Sequence, residues 1–212
     1  MIQIKKFTFN PFQENSYLLI NEKEECIVVD PGCFNSSEEK TLTNYIQDQG
    51  LTPIKLINTH FHIDHVLGND FVSKTYNLPI TAYKSQIDMV AMALRSAEMY
   101  GIPYKPSPEP TEFLEDGDSI NFGDSNLKVL FVPGHAPDHI VLFSEEENIM
   151  IGGDVLFKGS IGRTDLPGGN HHDLIDNIEN KIFTLPETIK VYSGHGPETT
   201  IGEEKRTNPF FK

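Results

Sequence analysis

Four times along this chain a short apolar run stops at a turn that carries histidine or aspartate. The run at 54–57 leads through Asn58 and Thr59 into His60-Phe61-His62-Ile63-Asp64-His65. The run at 127–132 leads into Pro133-Gly134-His135, and the run at 148–151 into Gly152-Gly153-Asp154. The run at 189–192 leads into Ser193-Gly194-His195-Gly196. Short apolar runs bounded by turn residues read as buried strands. In the last three, glycine beside the polar residue lets the backbone turn sharply and approach closely. A fold that accommodates all four can gather strand ends, with their imidazoles and carboxylates, at one edge of its sheets.

The spacing inside the first cluster has a chemical meaning. In an extended turn residues i and i+2 project to the same side, so His60 and His62 can hold one ion. Asp64 and His65, further round the turn, can hold another. Imidazole with carboxylate suits zinc and also iron. His135, Asp154 and His195 are the candidates to complete the two ligand sets. A lone histidine is ordinarily a packed or surface residue, but that reading fails for a cluster this dense. His139 lies four residues after His135 at the start of a strand and reads as a packing residue or a partner behind a ligand. Asp30, after the run at 27–29, reads as an acceptor behind a ligand or as a turn aspartate before Pro31-Gly32. His171 and His172 read as surface or capping residues at a helix start.

The remaining pattern is a mixture of strands and helices. Strands are expected at 2–9, 16–20, 26–29, 54–57 and 78–83. Ser36 or Ser37 reads as an N-cap, with Glu38 and Glu39 in the first turn and Gly50 past the helix end. Helices are expected at 66–77, 85–100 (with Ile87 on its apolar face) and 173–183. Residues 103–110 carry four prolines and read as an extended connector or a lid. Asp116-Gly117-Asp118 between 113–114 and 120–122 is a hairpin signal. No linker-like composition divides the chain, so 1–212 reads as a single α/β domain with two packed sheets flanked by helices.

Composition excludes several functions. Lys plus Arg number 17 against 31 Asp plus Glu, a net charge of −14. Such a chain is a poor partner for nucleic acid, whose binding rests on counterion release by cations, and for an anionic membrane. Two cysteines, Cys26 and Cys33, cannot build a disulfide framework and point to a reducing compartment. The N-terminal residues alternate polar and apolar without the continuous apolar core of a signal peptide. The expectation is a soluble, cytoplasmic protein.

His60-x-His62-x-Asp64-His65, His135, Asp154 and His195 resemble, in order and over the whole chain, the binuclear metal signature of the metallo-β-lactamase superfamily. Val29-Asp30-Pro31-Gly32, Pro133-Gly134-His135-Ala136-Pro137, Gly153-Asp154-Val155-Leu156-Phe157, Gly162-Arg163-Thr164-Asp165 and Thr207-Asn208-Pro209-Phe210 are most similar to the single-domain glyoxalase II-like hydrolases. The resemblance implies a four-layer αββα sandwich. It implies two divalent ions, zinc first, with iron or manganese as alternatives. His60, His62 and His135 would hold one ion, Asp64, His65 and His195 the other, and Asp154 would bridge them. A hydroxide between the ions would attack a small thioester, such as an S-2-hydroxyacylglutathione, with Asp64 accepting its proton. Lys158, Arg163 and Arg206 are the candidates to anchor a substrate carboxylate. Glyoxalase II itself carries a helical C-terminal domain that helps bind glutathione. This sequence runs only 17 residues past His195, so modest affinity for the glutathione portion is expected. The alternative within the resemblance is a one-iron persulfide dioxygenase; β-lactamase and nuclease branches fit less well.

Overall fold

The computed structural model describes residues 1–85 and 88–212. They form two compact units, Met1–Leu114 and Glu115–Lys212.

The first unit is built on a six-stranded mixed sheet. β1 (Gln3–Phe9), β2 (Glu14–Ile20) and β3 (Glu25–Val29) pair antiparallel in succession. β4 (Thr52–Ile57), β5 (Ile80–Tyr83) and β6 (Glu112–Leu114) then add in parallel. Parallel neighbours need crossover connections. α1 (Ser36–Asp48) supplies the first, α2 (Ile63–Val66) and α3 (Asn69–Tyr76) the second, and α4 (Met89–Tyr100) the third. Leu42 and Ile46 of α1, Ile63 and Val66 of α2, Val72 of α3 and Ala93 and Ala97 of α4 join Leu18, Val28, Leu56 and Ile80 of the sheet in one core.

Three helix expectations change in this unit. The cap of α1 is Asn35, whose side-chain oxygen accepts from the Ser37 and Glu38 N–H groups, because Ser36 is already helical. The expected helix at 66–77 is two helices. At Gly68 the backbone is pressed against the 31–33 turn: its N–H donates to the Pro31 carbonyl at 2.7 Å, and a Cβ would collide with Cys33 Sγ. The helix expected from residue 85 starts at Met89, after Asp88 accepts from the Ala91 N–H. Gln86 and Ile87 lie outside the described residues.

The second unit contains β7 (Ser119–Phe122), β8 (Ser125–Phe131), β9 (Ile140–Ser144) and β10 (Ile149–Gly153). A two-stranded ribbon, β11 (Leu156–Phe157) and β12 (Ser160–Ile161), comes next, then β13 (Lys190–Ser193) and β14 (Thr199–Thr200). The main sheet has the order β14-β13-β10-β9-β8-β7, with only β10 and β13 parallel. α5 (His171–Asn177) is continued by a π-turn over Ile178–Ile182, so the helix expected at 173–183 starts two residues early and changes pitch. α6 (Ile201–Thr207) lies near the end of the chain. Leu174, Ile178 and Ile182 pack with Val132, Val141, Met150 and Val191. The hairpin expected at Asp116-Gly117-Asp118 does not form. β6 pairs with β5 and β7 with β8, so that turn passes between two different sheets, while the hairpin is at Gly123-Asp124.

Residues 102–111 form an irregular but fastened connector. Asn69 Nδ2 donates to the buried Ser107 Oγ at 2.9 Å, and the Ser107 N–H donates to the Tyr104 hydroxyl at 2.9 Å. Lys105 and Lys74 both pair with Asp70, at 2.5 Å. Burial works to raise the Asp70 carboxyl, but the two ammonium groups prevail and hold it below the usual carboxylate range. A depressed carboxylate contributes stability above its unfolded pKa, and that contribution disappears as pH falls through the folded pKa. Asp70→Asn should therefore speed proteolytic nicking at 102–111 at neutral pH. In the unsubstituted protein the connector should become labile to pepsin only in strong acid.

Candidate metal centre

The first unit assembles its donors at the joint between β3 and β4. These strands pair in parallel with Val29 opposite Ile57, so the segments after both strands emerge at the same end. Asp30 takes a left-handed backbone (φ 48°) and turns its carboxylate across to the β4 exit. One oxygen accepts from the Thr59 N–H at 2.7 Å. The other accepts from Thr59 Oγ1 at 2.6 Å and lies 3.0 Å from His65 Nδ1. The His60 ring centre is 4.7 Å from that of His62 and 4.2 Å from that of His65. Asp64 Oδ2 lies 3.7 Å from His65 Nε2. Ligand atoms of Asp30, His60 and His65 all fall within 4.8 Å of one another. A carboxylate on the Nδ1 side makes Nδ1 the protonated nitrogen and leaves the Nε2 lone pair for another partner.

Sequence reasoning missed Glu14 in this neighbourhood. Its carboxyl is fully buried and within 3.9 Å of His65 Nδ1. Burial drives it well above the ordinary range; His65 and Ser16 pull the other way, and Asp30 and Asp64 push it further up. An acid in an otherwise strand-like stretch gave no signal, since the groups that set its environment are brought to it by the fold.

In the second unit strand direction does the gathering. β8 and β10 are both antiparallel to β9, and β13 is parallel to β10, so β8, β10 and β13 end at one edge of the sheet. His135, Asp154 and His195 come directly after those three ends. Asp154 Oδ2 stands 3.4 Å from His135 Nε2 and 3.5 Å from His195 Nε2. The other nitrogen of His135 contacts the Arg163 carbonyl at 2.7 Å. A carbonyl only accepts, so Nδ1 is the donor, and Nε2 is the nitrogen that faces Asp154. His139 Nε2 accepts from the Asp154 N–H at 3.0 Å, which makes it a buried partner behind Asp154. His171 and His172 sit exposed in the first turn of α5, where His172 pairs with Asp176.

The three expected substrate cations each sit in an ion pair. Arg163 grips Asp165 through two hydrogen bonds, at 2.7 and 2.8 Å, and holds that carboxyl down to about 2. Arg206 pairs with Glu187 at 2.9 Å, and Lys158 lies 3.7 Å from Glu203. Glu204, a second buried acid the sequence did not reveal, accepts from the Gly159 N–H and the Asn208 amide. It thereby pins the β11–β12 turn to the chain end.

The donors are imidazole nitrogens and carboxylate oxygens, the set that suits zinc, iron or manganese. Thiols take no part. Both cysteines are free and buried, and burial pushes Cys26 up to about 12 and Cys33 higher still.

A family model described as the metallo-beta-lactamase superfamily matches residues 9–195. The chain belongs to that superfamily. It is similar to the hydroxyacylglutathione hydrolase GloC of Haemophilus influenzae, at 33% identity over 94% of this chain and 93% of the relative. The crystal structure of BLEG-1 B3 metallo-beta-lactamase superposes with a TM-score of 0.89 at 35% identity, covering 99% of this chain and 100% of that one. That of TTHA1623 in a di-iron-bound form gives 0.87 at 34% identity, covering 97% and 99%. The chain is thus a metallo-hydrolase of the metallo-β-lactamase fold, with two mixed sheets flanked by helices and His/Asp metal-site clusters. Among the described residues no helix is long and apolar enough to cross a membrane.

Gly162 offers a test of how tightly the second cluster is built. A Cβ there would collide with the Asp154 carbonyl and come within 2.9 Å of His135 Nδ1. Gly162→Ala should destabilise the protein by about 3 kcal/mol, measured by urea unfolding, because neither backbone nor ring can yield cheaply.

Proposed function

We propose that this protein hydrolyses small thioesters of the hydroxyacylglutathione class at a centre of two divalent ions. His60, His62 and His135 would hold one ion, Asp64, His65 and His195 the other, and Asp154 would be shared. The observation that carries the reading is Asp154 Oδ2, placed between two imidazole Nε2 atoms at nearly equal distances. One carboxylate oxygen between two imidazole nitrogens is the arrangement a bridging ligand needs. The thioester class is supported by the likeness to a hydroxyacylglutathione hydrolase. Zinc is the first candidate metal on this reading.

When bound, the ions supply Lewis acidity: they lower the pKa of water and polarise a carbonyl. The chain's residues do the rest. Asp64, beside His65, accepts the proton that the attacking water loses. The carbon–sulfur bond breaks and the sulfur departs as thiolate, a weak enough base to need no general acid. Lys158 has the longest ion pair of the three candidate cations and is best placed to exchange Glu203 for a substrate carboxylate. Cleavage of a β-lactam is the second reading, favoured by the superposition with BLEG-1. It breaks a carbon–nitrogen bond instead, and the departing nitrogen must take up a proton, which a thiolate need not.

Metal analysis should find about two ions per chain under replete conditions. Asp154→Ala should lose both, whereas His195→Ala should mainly weaken one; two tightly held ions in Asp154→Ala would rule out the shared ligand. Chelation should also lower Tm, since metal binds the native state preferentially. Under nitrogen, a thioester panel read with a disulfide dye should show one thiol released per ester, and His65→Ala should reduce the rate strongly. Oxygen uptake with glutathione persulfide but no anaerobic thiol release would replace this reading by the dioxygenase. Turnover of a β-lactam alone would replace it by the lactamase.

A further inference from the structure

Glu14 opens β2, and none of its side chain reaches solvent. Burying a carboxyl is expensive unless its oxygens are satisfied. Ser16 Oγ donates to Oε2 at 2.8 Å, but Oε1 has no hydrogen-bond partner among the described residues. Oε1 instead stands 3.9 Å from His65 Nδ1, the nitrogen that Asp30 Oδ2 already approaches at 3.0 Å.

The position is built rather than incidental. The Gly32 N–H donates to Ser16 Oγ at 2.9 Å, which leaves the serine's own hydrogen for Glu14. Asn10 Nδ2 donates to both the Gly32 and Asp64 carbonyls at 3.0 Å, tying the same turn to the helix that carries His65. A Cβ at Gly32 would collide with Glu14 Oε2, so the turn leaves room for this carboxyl. The chain Gly32–Ser16–Glu14 therefore orients the acid and aims Oε1 at the back of the histidine.

We propose that Glu14 is a positioning residue for His65. With Asp30 it forms a cradle of two carboxyls on the Nδ1 side of the ring. The cradle keeps the hydrogen on Nδ1 and turns Nε2 toward Asp64 and the metal. This rests on the reading of His65 as a ligand. It adds a second acid, from a different strand, to the support that Asp30 provides.

Glu14→Gln tests it. The serine hydrogen requires an acceptor at the Oε2 position, so the amide oxygen goes there and the NH2 group faces His65 Nδ1–H, donor against donor. Titration of metal-free protein with zinc should show the weaker-held ion losing about tenfold in affinity, within the range for partners behind metal-bound histidines, with the other ion unchanged. The 15N spectrum of metal-free protein should show His65 as the Nδ1–H tautomer, and a tautomer mixture in the variant. Should Glu14→Gln fail to fold, Glu14→Leu removes the acceptor without adding a donor and should shift both readouts the same way. A folded variant with unchanged affinity and unchanged tautomer would overturn the proposal. His65→Ala is the control. If it costs an ion while Glu14 variants cost nothing, only the positioning role fails. If it costs nothing, the ligand reading fails, and the tautomer alone decides the role of Glu14.

Discussion

The carboxylate of Asp30 is the contact on which the first half of the site depends. It closes the ends of two parallel strands on each other by accepting from the backbone and hydroxyl of Thr59, then holds His65 by Nδ1. To do this Asp30 accepts a left-handed backbone, which aspartate tolerates better than most residues. Two short bonds to one residue and a third contact to His65 fix the local geometry. With the strand ends locked, His60 and His65 come together without reliance on loop rigidity.

The second half reaches a comparable result by strand direction. Antiparallel steps from β8 through β9 to β10, and a parallel step to β13, leave three ligand-bearing ends at one sheet edge. Close approach at Gly162 lets the 154 and 162 backbones meet beside the His135 ring, and the Arg163 carbonyl then sets that ring's tautomer. Arg163 thus matters at the site through its backbone, while its guanidinium is spent on Asp165.

Electrostatics explains why so many polar groups can be buried in these places. Each histidine held at Nδ1 by an acceptor presents its Nε2 in a defined direction. Asp30 lies at hydrogen-bond distance from His65 and the Arg163 carbonyl from His135, while Glu14 and Asp30 crowd one imidazole from two strands. A chain with a net charge of −14 is suited to hold cations in such pockets.

Much of this was legible in the residues themselves. Apolar runs ending in glycine turns located the strands and the ligand-type residues after them, because burial period and turn chemistry are local properties. Spacing in His60-x-His62-x-Asp64-His65 carried its chemistry for the same reason. The hairpin expected at Asp116-Gly117-Asp118 failed because a turn signal does not say which strands it joins; pairing partners are chosen by distant edges. The long helix expected at 66–77 broke because Gly68 meets the 31–33 turn, a contact between segments more than thirty residues apart. Glu14 was invisible for that reason too: nothing in its own strand distinguishes a surface acid from one aimed at His65. Residue order alone assigns imidazoles and carboxylates to particular strand ends. Which carboxyl faces which imidazole is a matter of tertiary packing, since it depends on atoms brought within a few ångströms by segments far apart in the chain.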